Sequence, residues 1–167
     1  MELVVVQGDI ADEVADVLVS PDDTRLSMSG GASAALAETA GDELPAAAQQ
    51  QAPVDVGEVV VTPAFDLFAD YVVHAAATTA GATPDAIREV VERALTAAAE
   101  HGCDSVVFPL IGGGVGGVDQ QTSARTIYEA VEDWSEPHPS EARLIVRSGS
   151  QYEEVFEAIE QIRLDGG

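Results

Sequence analysis

The chain contains no lysine, and its only cationic side chains apart from three histidines are seven arginines. Against these stand 30 acidic residues, which give a formal net charge of -23. A nucleic-acid-binding surface needs clustered cations to neutralise phosphates, so the charge excludes that class of partner. The absence of lysine also excludes a Walker-type nucleotide loop, since that loop requires a lysine to reach the outer phosphates.

Cysteine and histidine are nearly as scarce. The single Cys103 excludes an internal disulfide and a cysteine-rich zinc site, and we expect it to be a small apolar residue of the core. The three histidines do not have the spacing of metal ligands. His74 lies in the apolar segment YVVHAA, where we expect a hydrogen-bonded core histidine. We therefore predict no metal site and no cofactor.

Long apolar runs are also lacking. No run approaches the roughly 20 residues of a membrane span, and the first ten residues, MELVVVQGDI, lack the basic region and cleavage site of a secretory signal. We expect a cytoplasmic, monomeric protein without a membrane partner. A length of 167 residues favours one domain over residues 1–167.

The acidic residues are spread along the whole chain and do not form a tail. Self-repulsion at this charge destabilises a compact state in dilute buffer. It becomes tolerable when salt shortens the Debye length to about 3 Å at 1 M. We interpret the composition as adaptation to a salt-rich cytosol, with an acidic surface.

Strand and helix patterns alternate along the chain. The segment 84–101 places apolar residues at a helical period, and 104–111 is apolar throughout, as in a strand buried on both faces. This alternation predicts a three-layer α/β/α sandwich around a largely parallel sheet. The other predicted strands are 2–10, 16–20, 57–65, 71–76 and 142–148. A further helix is predicted over 30–41, and another has an apolar face formed by Ile127, Tyr128, Val131 and Trp134. The last predicted helix has an apolar stripe formed by Tyr152, Val155, Phe156, Ile159 and Ile162.

A glycine-rich loop, GGGVGG, follows the strand 104–111 and precedes a helix. Gly112, Gly114 and Gly117 match a dinucleotide fingerprint, but the loop lies late in the chain and the next strand ends at Arg147, not at an acidic residue. Glycines let the backbone approach a ligand, and its N–H groups together with the start of a helix attract a phosphate. We expect residues 112–118 to bind a phosphate or diphosphate; a tight turn without a ligand is the alternative.

Two other segments suit the same ligand. Residues 20–36 run from a strand end through Gly30 and Gly31 into a helix, so a second glycine loop could hold a diphosphate from the other side. Asp9 follows the first strand. Its carboxylate could either cap the next turn or accept a hydrogen bond from an exocyclic amine such as that of adenine.

These segments together resemble the macro domain, an ADP-ribose-binding module. The resemblance rests on three motifs in order over residues 3 to 160: GDIADEVADVLVSPDDTRLSMSGGASAALAETAG, GEVVVTPAFDLFADYVVHAA and SVVFPLIGGGVGGVDQQTSARTIYEAV. It implies that Asp9 and the Ile10 backbone read adenine. It also implies a diphosphate between two loops, formed by Ser29, Gly30, Gly31, Ala32 and Ser33 on one side and by Gly112, Gly113, Gly114, Val115 and Gly116 on the other. Tyr152 matches an adenine-flanking aromatic, although its place in the core stripe of the last helix is an equal alternative.

The chain departs from the family where hydrolytic members carry out chemistry. Asp23 replaces an asparagine that contacts the terminal ribose, and Ser33 replaces an aspartate. A serine hydroxyl cannot act unaided as a base at neutral pH. Asp23 is a candidate catalytic residue that could orient or deprotonate water, but we favour a hydrogen bond to ribose. The resemblance thus favours binding of ADP-ribose or an ADP-ribosylated protein over hydrolysis of ADP-ribosyl groups, including 1''-phosphate or O-acetyl derivatives.

The charge generates a prediction about stability. We expect the melting temperature to rise steeply with KCl, because added ions screen the repulsion among the acidic residues. Differential scanning fluorimetry from 0.1 to 3 M KCl measures this. A melting temperature that does not change over this range would refute salt adaptation.

Overall fold

The computed structural model describes residues 1–77, 82–112 and 117–166. The strands are Leu3–Gln7 (β1), Val17–Asp22 (β2), Val59–Pro63 (β3), Tyr71–Ala76 (β4), Ser105–Phe108 (β5) and Glu141–Val146 (β6). The helices are Gly31–Ala40 (α1), Glu43–Gln49 (α2), Pro84–Glu100 (α3), Gln120–Glu132 (α4) and Gly149–Gly166 (α5). No helix in these ranges is both long enough and apolar enough to span a membrane.

The described strands form one sheet in the order β1-β6-β5-β2-β4-β3. Neighbouring strands are parallel except for β3, which runs antiparallel to β4 at the edge. Helices cover both faces, as parallel sheets require. The predicted three-layer α/β/α sandwich with a largely parallel sheet is confirmed.

The side chains of β2 show how two cores arise from one strand. Successive residues of a strand point to opposite faces. Val17 and Val19 therefore join the core under α3, α4 and α5, whereas Leu18 joins the core under α1 and α2. Cys103 is buried in the first core, as predicted, and burial raises the pKa of its thiol.

Capping residues fix the starts of the long helices. Thr83 accepts a hydrogen bond from the Ala86 N–H at the start of α3, and Asp119 accepts one from the Thr122 N–H at the start of α4. Helix α3 then buries the apolar face that its period predicts, from Ile87 to Ala98.

Several elements differ from the sequence-based expectation. Helix α2 was not predicted, and a short 3₁₀ turn at Ile10–Asp12 interrupts the chain after β1. Helix α4 ends before Trp134, which packs against the core from the following segment. Phe156 is 42% exposed and lies outside the buried stripe of α5, which consists of Val155, Ala158 and Ile159.

The topology places a crevice at the centre of the sheet. Strands β2 and β5 are neighbours, but the chain leaves β2 toward α1 on one face and leaves β5 toward α4 on the other. In open α/β sheets, ligands bind where connections diverge in this way at the carboxyl ends of the strands. Both loops singled out by the sequence begin at this point.

Gly112 and Gly102 provide a matched test of packing beside this crevice. Both have a positive φ, +81° and +70°. A Cβ at Gly102 would meet no atom within 4 Å, but one at Gly112 would lie 2.8 Å from Ile87 Cδ1 and 3.0 Å from Val118 Cγ2. We expect Gly102→Ala to lower the free energy of unfolding by about 1 kcal/mol, from backbone strain alone. Gly112→Ala should cost about 1–3 kcal/mol more, because it also overpacks the core.

Urea denaturation of both variants in molar KCl measures the difference. Equal losses of stability would show that the space at Gly112 does not constrain this loop.

Candidate functional site

A cleft of about 460 Å³ opens at the carboxyl ends of β2 and β5. Its walls combine the segment after β2, the start of α1 and the segment after β5. The lining residues are Pro21, Asp22, Asp23, Met28, Ser29, Gly30, Gly31, Ala32, Ser33, Leu110 and Gly112. The structure therefore brings the predicted residues of both glycine loops to one cleft, as far as they are described.

The start of α1 forms one wall of this cleft. Gly30 precedes the helix, and no side chain among the described residues caps its first N–H groups, in contrast to α3 and α4. The first N–H groups of any helix lack partners within the helix. At α1 they are therefore available to an anion in the cleft, where the helix dipole also favours negative charge.

Asp23 organises the loop that leads to α1. Its Oδ1 accepts hydrogen bonds from the N–H groups of Arg25 (3.0 Å) and Ser27 (3.1 Å), and its Oδ2 accepts one from the Ser27 hydroxyl. Burial alone would raise the pKa of Asp23, but the bonds from the Ser27 hydroxyl and the backbone N–H groups outweigh it and lower the pKa. A carboxylate with a lowered pKa is a weak base, so this geometry favours a positioning role for Asp23 over proton abstraction.

The two serines of the first loop also make internal bonds. The Ser33 hydroxyl is buried and donates to the Gly30 carbonyl oxygen at 2.9 Å. Ser29 is exposed to the cleft, and its hydroxyl lies 3.1 Å from the Ser27 hydroxyl. Ser33 thus stabilises the turn into α1, whereas Ser29 is accessible to a ligand.

Beneath the cleft lies a buried chain of polar side chains. Asp22 Oδ2 is 2.8 Å from His74 Nδ1, and His74 Nε2 is 2.9 Å from Thr62 Oγ1. All three residues are at most 2% exposed. Within the described part of the chain, Asp22 Oδ1 and the neighbouring Ser20 hydroxyl have no hydrogen-bond partner. His74 is a hydrogen-bonded core histidine, as predicted, but the sequence did not reveal Asp22 as its partner.

A narrow slot of about 30 Å³ lies beside the cleft, near the ends of β1 and β6, and Ala32 lines both. The other lining residues are Gly8, Asp9, Ile10, Ala35, Pro109, Ile145 and Arg147. Asp9 Oδ1 accepts a hydrogen bond from the Ala11 N–H at 2.9 Å and caps the 3₁₀ turn. Its Oδ2 is 3.8 Å from Arg147 Nη2. Asp9 therefore serves as a cap, one of the two expected roles, and keeps one oxygen for a ligand.

Tyr152 is not among the residues that line this slot. It packs against the core, which supports the core alternative for this residue, and it also stacks on the exposed Phe156 at a ring-centroid distance of 5.8 Å. Arg147 instead faces Asp9 across the slot, although none of the sequence motifs includes it. Its signal was present: an arginine directly after a buried strand, in a chain with only seven cationic arginines.

The second glycine loop is partly described. Gly112 is buried, lines the cleft and accepts a hydrogen bond from the Val118 N–H at 2.7 Å. The Ser123 hydroxyl holds the preceding residue, donating to the Ile111 carbonyl oxygen at 2.6 Å. The predicted ligand residues Gly113, Gly114, Val115 and Gly116 lie outside the described residues.

A family model, described as "Macro domain", matches residues 19–127. The chain belongs to the macro domain family. The family inferred from the three motifs is thereby confirmed.

Relatives and solved structures agree with this assignment. A protein of Aquifex aeolicus is 31% identical over 98% of this chain and all of its own length. The protein named O-acetyl-ADP-ribose deacetylase of Cronobacter sakazakii is 34% identical over 81% of this chain and 79% of its own. Two solved macrodomains share the fold. That of Oceanobacillus iheyensis with ADP has a TM-score of 0.88 at 24% identity and covers 96% of this chain and 91% of that chain. That of Trypanosoma brucei in complex with ADP-ribose has a TM-score of 0.84 at 21% identity and covers 95% and 69%.

Metal ligands do not cluster in the described ranges of this macro domain. No group of three or more histidine, cysteine, aspartate or glutamate side chains there has the arrangement of a metal site. The chemistry that the described cleft offers is therefore that of backbone N–H groups, hydroxyls and two carboxylates.

The buried Asp22–His74 pair generates a prediction about stability. His74→Ala would leave the Asp22 carboxylate buried without its partner, and we expect the free energy of unfolding to fall by about 3–5 kcal/mol. Asp22→Ala leaves only an unpaired imidazole N–H, so its cost should be about 1–3 kcal/mol. The two costs should not add, because each substitution removes the same bond.

Urea unfolding of both single variants and the double variant tests this coupling. In the His74→Ala background, Asp22→Ala should restore part of the stability. Purely additive costs would mean that the two side chains do not interact in the folded protein.

Proposed function

We propose that this macro domain binds ADP-ribose or a close derivative, free or attached to a protein. The observation that carries the proposal is the start of α1, which has no side-chain cap among the described residues and whose first residues line the cleft, next to a slot that contains Asp9. The cleft suits a diphosphate and a ribose, and the slot suits the edge of a base. Ala32 borders both, so one elongated nucleotide can occupy them together.

Each part of ADP-ribose then lies next to protein groups that can bind it. The exocyclic amine of adenine donates to Asp9 Oδ2, beside the Ile10 backbone. The diphosphate lies at the N–H groups from Gly30 to Ser33, with Gly112 on the opposite wall. The terminal ribose lies near Ser29 and the Asp23 loop, where hydroxyls and carboxylates can bond sugar hydroxyls.

The relatives support this assignment by what they bind. The solved macrodomains of Oceanobacillus iheyensis and Trypanosoma brucei contain ADP and ADP-ribose, respectively. Backbone N–H groups also suit a chain with a net charge of -23 and no lysine, because they supply positive potential without cationic side chains. We further propose that the protein works in a salt-rich cytoplasm, on the strength of this charge.

The second candidate is hydrolysis of ADP-ribosyl groups. It is favoured by the relative from Cronobacter sakazakii, which is named for deacetylation of O-acetyl-ADP-ribose. The bonds of Asp23 and its lowered pKa weigh against it, and so does the buried Ser33 hydroxyl, which is bonded to Gly30. Incubation with O-acetyl-ADP-ribose and with an ADP-ribosylated protein decides the matter: release of ADP-ribose that Asp23→Asn abolishes would establish the hydrolase.

Binding is tested by calorimetric titration with ADP-ribose, AMP and NAD in molar KCl. In Asp9→Asn the side-chain oxygen can still cap the 3₁₀ turn. The amide NH₂ then takes the place of Oδ2, so the adenine amine loses its charged acceptor and meets a second donor. We expect it to weaken ADP-ribose binding by about 1.5–3 kcal/mol, the range for hydrogen bonds to charged groups.

Asp12→Asn is the matched control, since Asp12 lies in the same turn, is exposed and loses the same charge. The Asp12→Asn variant should bind ADP-ribose with the affinity of the unsubstituted protein. No heat with any of the three ligands would refute the proposed function, and an unchanged affinity in Asp9→Asn would remove Asp9 from the site.

A further inference from the structure

Arg147 has a fixed backbone and a free side chain. It follows β6 directly, and its N–H donates to Gln151 Oε1 at 3.2 Å. Its carbonyl oxygen accepts a bond from Gln7 Nε2 at 3.5 Å. The side chain, however, is 71% exposed. The main chain thus holds Arg147 at the rim of the slot while its guanidinium is able to move.

The guanidinium is only loosely paired. Its Nη2 lies 3.8 Å from Asp9 Oδ2, beyond hydrogen-bonding distance. Arg88, Arg93 and Arg163 hold their acidic partners at 2.6 to 2.7 Å. Asp9 Oδ2 is also the oxygen that an exocyclic amine would need. A base entering the slot therefore competes with Arg147 for this oxygen.

The slot covers a base incompletely. Ala32, Ala35, Pro109 and Ile145 supply apolar contacts, but no aromatic side chain is among the described residues that line it. One face of a purine seated there would stay open to water. Arg147 is the planar group at this rim, and a guanidinium stacks on aromatic faces as a lysine ammonium does not.

We propose that Arg147 is the residue that covers the base. When the amine of the base takes Asp9 Oδ2, the guanidinium leaves that oxygen and stacks on the open face of the ring. This inference rests on the proposed function, since it assumes that a nucleotide occupies the slot. It assigns base affinity jointly to Asp9, which bonds the edge, and Arg147, which covers the face.

A charge-only role is the rival explanation, because Arg147 is the one cationic side chain among the described residues lining the cleft and the slot. In that case it would attract the phosphates and not the base. The two roles respond differently to substitution. Arg147→Lys keeps the positive charge but loses the planar group, whereas Arg147→Phe keeps a planar group but loses the charge. They also respond differently to salt, which screens an exposed charge but not stacking.

The experiment is calorimetric titration of ADP-ribose and AMP into the full chain and its variants in 1 and 3 M KCl. We expect Arg147→Gln and Arg147→Lys to weaken binding of both ligands by about 5- to 150-fold at either salt concentration, the factor that corresponds to the loss of a planar group stacked on a base. Arg147→Phe should bind within about twofold of the unsubstituted chain. Arg125→Gln is the control for charge, since Arg125 is exposed on α4 and is not among the residues that line the cleft or the slot.

Two results would overturn the inference. One is equal affinity in all three Arg147 variants and the unsubstituted chain. The other is binding retained by Lys and lost by Phe, which would assign a charge role. Absence of binding by the unsubstituted chain would instead refute the proposed function itself, so the two failures are distinguishable.

Discussion

The hydrogen-bonded chain of Asp22, His74 and Thr62 is the interaction on which the cleft is built. It joins the end of β2 to β4 and β3, beneath the point where the backbone turns into the loop before α1. A carboxylate this deeply buried is tolerable only with a bonded partner. The position of His74 therefore fixes where β2 ends, and with it the place where Asp23 begins the loop.

The backbone N–H groups between β2 and the first turn of α1 fall into two sets. Asp23 takes those of Arg25 and Ser27, which shapes the turn. At the start of α1 no described side chain caps the first N–H groups, and the residues that carry them line the cleft. A strongly acidic chain can in this way create a local positive potential from its backbone.

Much of this arrangement could be predicted from the sequence, because it follows from local patterns. The alternation of strand and helix patterns predicts the three layers, and the glycine-rich segments predict the two loops of the cleft. Helix α2 was missed because it is short, contains Pro45 and buries only Leu44 and Ala48, too few residues for a clear period. Arg147 was missed for a different reason: it meets Asp9 only because β6 pairs with β1, a contact between residues distant in the chain. For Tyr152 the sequence left two roles open, an adenine-flanking aromatic and a core residue of the last helix, because sequence alone did not set the rotation of α5.

The same geometry bears on whether such a cleft binds or reacts. A general base needs an accessible lone pair and a pKa near the working pH. The titratable side chains among the described cleft residues are Asp22 and Asp23. Asp22 is buried and bonded to His74, and both oxygens of Asp23 accept bonds from its own loop, which lower its pKa. The bonds that shape this loop thus lower the pKa of Asp23 and reduce its basicity. Rigid recognition of a nucleotide is the function for which these bonds are an advantage.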